Sequence, residues 1–312
     1  MIISASRRTD IPSYYSDWFI NRLREGFVYV RNPMNYHQVS KISLSKELID
    51  GIVFWTKNPV PLMDKLDLID EYMYYFQFTL NAYGKDIEGN VPSKNDVIVP
   101  AFQTLSRKIG SERVIWRYDP ILITEKYTME YHLAYFEALA KRLSGYTEKC
   151  VISFVDMYRN TLSRMKPHVI QPISKEDMLI MAARICEIGR KYRISIESCA
   201  EEIDLKSAGI PHGACIDKGL FEKLLGVKLH ASKDKNQRSS CGCMESIDIG
   251  TYDTCLNGCR YCYANHSDKI MAQNVALYDP ESPLLCGRID EEDIVKERMI
   301  KSFIRKNTLT FL

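Results

Sequence analysis

Runs of consecutive apolar, β-branched and aromatic residues alternate along this chain with longer amphipathic segments. The predicted strands cover residues 2–6, 52–56, 74–80, 113–118, 150–155, 194–198 and 246–252. Most of these runs are apolar throughout and do not alternate with polar residues. This pattern is typical of strands in a parallel sheet that is covered on both faces.

Between the predicted strands, apolar residues recur at the three- and four-residue spacing of amphipathic helices. The predicted helices cover residues 14–25, 60–72, 97–109, 127–144 and 174–192. The last of them follows a capping residue, Ser174, and has Glu176 and Asp177 in its first turn. The repeated alternation predicts an α/β fold, and the chain length favours a (β/α) barrel, complete or partial, over a doubly wound open sheet.

Length and charge limit the classes of protein to which this chain can belong. The chain has 312 residues, 46% of them hydrophobic, and we expect residues 1–232 to form the barrel body and residues 233–312 to complete the same barrel. A net charge of +2 does not support a nucleic-acid partner. No apolar run approaches the ~20 residues that span a bilayer, and the first residues do not resemble a secretory signal. We therefore expect a cytoplasmic protein without a membrane partner.

Polar side chains follow the predicted strands at the point where each strand ends. They are Ser4, Ser6 and Arg7 after the first strand, Lys57 after the second, Thr79 and Asn81 after the third, Arg117 and Asp119 after the fourth, and Asp156 after the fifth. In a barrel, the carboxyl ends of the strands converge on one face, where active sites lie. The alternative is that these residues only begin loops, but their recurrence favours a polar pocket.

Cysteine gives the most specific chemical signal in the sequence. None of the ten cysteines lies in the first 149 residues, and seven lie between Cys199 and Cys262. Disulfides are rare in a reducing compartment, so clustered cysteines indicate metal or redox chemistry. Cys150 and Cys186 lie in apolar segments and are predicted to be core residues.

Cys255, Cys259 and Cys262 form a loop with the spacing C-x3-C-x2-C. Three thiolates on a short loop can bind three irons of one [4Fe–4S] cluster and leave the fourth iron open, and Gly258 allows the backbone to turn tightly. A zinc site is the alternative. It fits less well, because zinc usually takes four protein ligands, often from two C-x2-C pairs.

Four further cysteines form a second candidate metal site. They are Cys199, Cys215, Cys241 and Cys243. Four thiolates complete the ligand set of a second [4Fe–4S] cluster or of a structural zinc, and the sequence favours the cluster. The alternative for Cys199 is a buried small apolar residue, and His212 and His230 are substitute ligands.

The C-x3-C-x2-C loop, with Tyr261 directly before its last cysteine, resembles the signature of radical S-adenosylmethionine (SAM) enzymes. The chain also resembles, over nearly its whole length, a bacterial family called domain of unknown function 1848, whose members carry a cysteine cluster of this type at the C-terminus. The segments that carry this second resemblance are SRRTDIP, FWTKNP, WRYDPIL, QRSSCGC, DIGTYDTC and CRYCYAN.

The resemblance to radical SAM enzymes implies a mechanism. Cys255, Cys259 and Cys262 would hold a [4Fe–4S] cluster whose open iron binds SAM. Reductive cleavage of SAM would then generate a 5′-deoxyadenosyl radical that acts on a substrate the sequence does not identify. An electron donor such as flavodoxin or ferredoxin is the implied partner.

The position of the loop implies an unusual topology. In most radical SAM barrels the cysteine loop follows the first strand, whereas here it follows the last predicted strand. The resemblance therefore implies a circularly permuted strand order in which residues 2–6 pair with residues 246–252. The implied SAM contacts are Ser4, Ser6, Arg7, Thr79 and Asn81, and the implied catalytic residues are Arg117 and Asp119.

Two other functions are compatible with the sequence. The first is a non-catalytic protein with iron–sulfur or zinc sites, in which a fourth protein ligand would close the cluster of the Cys255–Cys262 loop. The second is a nucleic-acid-acting radical SAM lyase, since some of these enzymes carry a similar cysteine–tyrosine ending. That function requires a basic groove, which the net charge does not indicate.

Overall fold

The apolar runs of the sequence form most of the strands of the fold. The computed structural model describes residues 1–156 and 159–304. In this part of the chain the strands are β1 (Ile2–Ala5), β2 (Phe27–Asn32), β3 (Asn35–Ser43), β4 (Gly51–Thr56), β5 (Tyr74–Thr79), β6 (Val114–Ile121), β7 (Lys149–Phe154), β8 (Ser195–Ser198), β9 (Ile247–Asp248) and β10 (Ile294–Glu297).

Helices occupy most of the connections between the strands of the larger sheet. The α-helices of the described residues are α1 (Ile11–Tyr14), α2 (Ser16–Glu25), α3 (Val60–Met63), α4 (Val99–Ile109), α5 (Met129–Leu143), α6 (Arg159–Arg164), α7 (Lys175–Lys191), α8 (Lys218–Leu225) and α9 (Asp268–Val275). The predicted cap of α7 is confirmed, because the Ser174 side chain accepts a hydrogen bond from the Asp177 amide. No helix of the described chain is long and apolar enough to cross a bilayer.

Seven strands form one sheet in the order β8-β7-β6-β5-β4-β1-β9, and every neighbouring pair in it is parallel. The α/β prediction is therefore confirmed. The pairings among the described residues do not close the sheet into a barrel. The remaining strands form a separate sheet in the order β10-β3-β2.

The first strand of the chain lies beside the last strand of the larger sheet. Ile3 of β1 is in register with Ile247 of β9, and Ser4 is in register with Asp248. The predicted pairing of residues 2–6 with residues 246–252 is thus confirmed. It places the residues that follow β1 and the cysteine loop that follows β9 at the same edge of the sheet.

Both faces of the larger sheet are covered by apolar side chains. Ile52 and Phe54 of β4 belong to the main core, whereas Val53 between them faces the other side. That second face holds a smaller core, which consists chiefly of Ile2, Val53, Tyr75, Ile115, Val151, Phe221, Cys215, Cys241 and Cys243. Three cysteines of the second candidate site are therefore part of a packed layer.

Two predicted elements differ from the observed ones. The predicted helix over residues 60–72 is interrupted, and its second half is a 3-10 helix, Leu66–Ile69, whose i, i+3 spacing suffices to bury both Leu66 and Ile69. The predicted strand over residues 246–252 is shorter in the structure, Ile247–Asp248, and Gly250 beyond it packs tightly against Ser6.

Candidate iron–sulfur site

A cavity of about 600 Å³ opens at the carboxyl ends of the parallel strands. It is lined by residues within β5 and β6 and by residues that follow β1, β4, β7 and β8, as expected for the functional edge of a parallel α/β sheet. Its volume is within the range of small-molecule sites. The residues predicted from the sequence to form the site all line this cavity, except Ser4 and Asn81.

The structure assigns Ser4 and Asn81 to the cavity's supporting layer. The Ser4 hydroxyl is fully buried, donates to Asp248 at 2.8 Å and accepts from the Trp55 indole at 3.1 Å. The Asn81 amide donates to the Asp119 carbonyl oxygen at 2.8 Å. Neither residue lines the cavity, so both lie outside the surface predicted to contact SAM.

Local hydrogen bonds hold the Cys255–Cys262 loop in shape. The Asn257 amide donates to the Cys255 sulfur at 3.5 Å, and the Ala264 backbone N–H donates to the Cys262 sulfur at 3.3 Å. Gly258 has a φ of +67°, a conformation that side chains disfavour. N–H groups directed at cysteine sulfurs are the usual outer contacts of metal-bound thiolates, so this donor set fits a cluster.

Burial favours the protonated forms of the Cys255 and Cys259 thiols. Loss of hydration raises the pKa of Cys255 to about 12 and also raises the pKa of Cys259. Metal binding at these positions would therefore release protons. Within residues 1–156 and 159–304, no three cysteine sulfurs lie mutually within 4.8 Å of one another.

The second cysteine set lines the same cavity. The sulfurs of Cys199 and Cys215 are 2.8 Å apart, and the Cys243 side chain is within hydrogen-bonding reach of both Cys215 and Cys241. Hydrogen bonds from these neighbours lower the pKa of Cys199 and of Cys243. The same contacts raise the pKa of Cys215 and of Cys241, so two thiols of the set favour the thiolate and the other two favour the protonated form.

Two arginines compensate negative charge at the second set. The Arg117 guanidinium donates to the Cys215 sulfur at 2.6 Å and to the Asp119 carboxylate at 3.0 Å. The Nη2 atom of Arg7 is buried without a hydrogen-bond partner, and Cys243 is among the groups that raise the pKa of Arg7. An anionic cluster held by these thiolates would supply the acceptor that this buried nitrogen lacks.

The two histidines predicted as substitute ligands for the second cysteine set, His212 and His230, lie outside the cavity. His212 lies against the Ser198 hydroxyl, with its Nδ1 atom 3.2 Å from it, and His230 is exposed. Neither histidine lines the cavity. Cys150 and Cys186 are buried in the main core, which confirms their prediction.

Sequence reasoning missed several functional residues because their partners are distant along the chain. Asp248 accepts hydrogen bonds from Ser4 in β1 and from Ser6 directly after it, and Glu88 lies in a buried ionic network next to Cys259. Glu201 lines the cavity, and burial raises its pKa to about 7. The sequence around a carboxylate in a polar loop does not indicate whether that carboxylate will lie in a cavity or in a buried network.

Comparison with protein-family models supports one of the two predicted resemblances. No curated protein was found to match the chain. The model of one family matches residues 2–264, a range that includes both cysteine sets and every strand of the larger sheet. The chain belongs to the family described as Domain of unknown function (DUF1848).

Proposed function

We propose that this protein is a radical SAM enzyme whose Cys255–Cys262 loop holds a [4Fe–4S] cluster. The observation that carries the proposal is the cavity itself, because the three thiols of this loop line it beside polar residues from several strand ends. When bound and reduced, the cluster supplies the electron that cleaves SAM to a 5′-deoxyadenosyl radical. The non-catalytic alternative requires a fourth ligand, and the loop itself offers only three cysteines.

The topology supports a circularly permuted, partial (β/α) barrel. Since β1 is the parallel neighbour of β9, the backbone after β1 is placed next to the cysteine loop. Among the arginine and lysine side chains of the cavity, within the described residues, only the Arg7 guanidinium lacks a carboxylate within 4.0 Å. We assign Ser6, Arg7 and Thr79 to the wall that binds SAM.

Arg117 and Asp119 are assigned to the substrate side of the cavity. The guanidinium of Arg117 is fixed by Asp119 and lies 5.2 Å from the centre of the Trp55 ring, and Arg7 lies 5.1 Å from the same ring. Such a rigid arrangement can orient a ligand without moving. The second cysteine set would hold a second [4Fe–4S] cluster, and a flavodoxin or ferredoxin would supply electrons.

Formation of 5′-deoxyadenosine tests this function. Protein reconstituted anaerobically with iron and sulfide is reduced in the presence of SAM, and the product is measured by liquid chromatography with mass spectrometry. We expect 5′-deoxyadenosine from the wild type and from Cys186→Ala, a core-cysteine control, and none from Cys255→Ala. Cluster-loaded wild type that forms no 5′-deoxyadenosine would exclude the proposal.

A further inference from the structure

A buried ionic network lies beneath the Cys255–Cys262 loop. The Glu88 carboxylate is bound by two ammonium groups, with Lys57 Nζ at 2.7 Å and Lys94 Nζ at 2.8 Å. All three side chains are at most 12% exposed. We call these residues the Lys57–Glu88–Lys94 triad. Burying three charges is costly, so their retention in one place calls for an explanation beyond stability.

The charge state of the triad follows from its contacts. Although burial opposes it, the two lysines lower the pKa of Glu88 to about 2. Burial also acts against the charged form of Lys57, but Glu88, Cys259 and Asp119 together outweigh it and raise the pKa of Lys57. Burial lowers the pKa of Lys94, while Glu88 acts in the opposite direction. Two ammonium groups around one carboxylate carry a net charge of +1.

The triad is linked directly to the cysteine loop. Glu88 forms an antiparallel bridge with Cys259 through the backbone. The Tyr261 hydroxyl, two residues further along the loop, donates to the Glu88 carboxylate and accepts from Lys57 Nζ at 2.7 Å. Lys57 also lines the cavity. The positive charge is therefore held close to Cys259 by contacts that leave it little freedom.

We propose that the Lys57–Glu88–Lys94 triad sets the reduction potential of the cluster bound by the Cys255–Cys262 loop. This inference rests on one part of the proposed function, namely that the Cys255–Cys262 loop holds a cluster. Reduction adds one negative charge, which a fixed positive charge in a low-dielectric region stabilises. Removing the negative member of the triad makes reduction easier, and removing a positive member makes it harder.

Two substitutions of opposite sign test the proposal. Glu88→Gln keeps the shape and the polar contacts of the side chain but removes its charge, whereas Lys57→Met removes a positive charge. Reconstituted proteins are titrated with a reductant, and the midpoint potential is read from the electron paramagnetic resonance (EPR) signal that Cys255→Ala abolishes. We expect Glu88→Gln to raise the midpoint and Lys57→Met to lower it, each by at least tenfold in the one-electron equilibrium constant, about 59 mV.

A surface ion pair provides the matched control. Lys126 pairs with Asp86 at 2.9 Å, and its side chain is 62% exposed. Solvent therefore screens the charge of Lys126, and we expect Lys126→Met to leave the midpoint potential unchanged. Lys94→Met, expected to lower the midpoint, replaces Lys57→Met if that variant does not fold. Unchanged midpoints, or shifts of the same sign in both triad variants, overturn the proposal. An iron–sulfur signal that does not respond to SAM would count against the enzyme function alone.

Discussion

At the scale of single residues, the carboxylate of Asp248 links the two ends of the chain. It accepts hydrogen bonds from the Ser4 hydroxyl at 2.8 Å, the Ser6 hydroxyl at 2.6 Å and the Arg7 backbone N–H at 2.8 Å. The sequence identified the polar residues after β1 but not this partner, which lies more than 240 residues away. The two serines therefore orient the strand end that presents Arg7 to the cavity.

A buried histidine makes the stability of the fold depend on pH. His132 is fully buried between the Tyr118 hydroxyl and the Leu122 carbonyl oxygen, and burial lowers its pKa from 6.5 to about 4. The unfolded chain binds this proton first as the pH falls, so stability present above pH 6.5 is lost between pH 6.5 and about 4. We expect a loss of about 2–3 kcal/mol from this group.

The pH dependence is measured by urea unfolding between pH 7 and pH 4. His132→Gln should be less stable than the wild type at pH 7 but should lose less stability over this interval. His230→Gln, which changes an exposed histidine, should keep the wild-type slope. Equal slopes for the wild type and His132→Gln would contradict the assignment of a neutral buried imidazole.

At the scale of elements, the pairing of β1 with β9 requires a glycine. A Cβ atom on Gly250 would lie 2.1 Å from the Ser6 hydroxyl oxygen and 2.6 Å from the Ser6 Cβ atom. Only a residue without a side chain allows the two segments to approach each other this closely. The close approach also explains why β9 ends after two residues.

Substitution of Gly250 should weaken the packing of the segment after β9 against the segment after β1. We expect Gly250→Ala to cost about 2–3 kcal/mol of unfolding free energy, because the methyl group overlaps Ser6. Gly26 is the control, because it has a φ of +76° and a Cβ atom added there would meet no neighbour within 4 Å. Gly26→Ala should cost about 1 kcal/mol from backbone strain alone. Urea unfolding measures both changes in unfolding free energy. A smaller loss of unfolding free energy for Gly250→Ala than for Gly26→Ala would show that the backbone near Gly250 shifts to accommodate the methyl group.

The strands of the larger sheet were predictable because burial on both faces leaves continuous apolar runs, such as Gly51–Thr56 in β4. The hairpin of β2 and β3 was not predicted. Its strands belong to a separate sheet and are largely accessible to solvent, as the four exposed residues at the start of β3 show. Their mixed polar pattern does not differ from that of a loop, so pairing in three dimensions decides their structure.

At the scale of the whole molecule, one cavity brings together two cysteine sets. The spacing of Cys255, Cys259 and Cys262 was sufficient to identify a candidate metal-binding loop. That both sets would line the same cavity, with Arg117 in contact with Cys215, was not predictable. This neighbourhood depends on how loops after β8 and before β9 fold over the sheet, and spacing in the sequence carries no information about it.

Metal content tests whether both sets bind clusters. We expect about eight irons per reconstituted chain, four for each cluster, and the double variant Cys241→Ala/Cys243→Ala should hold about half as much iron. Cys186→Ala should match the wild type. Iron and zinc are measured together by mass spectrometry of the digested protein. About four irons with one zinc would instead assign the second set to a structural zinc.

The proposed radical SAM function depends most directly on an open iron at the Cys255–Cys262 loop. The decisive measurement is the EPR spectrum of the reduced, reconstituted protein before and after addition of SAM. We predict that SAM changes the spectrum of the cluster whose signal is absent in Cys255→Ala, because SAM binds an iron that lacks a protein ligand. A spectrum of that cluster that stays the same at saturating SAM would contradict the account and favour a closed, non-catalytic iron–sulfur site.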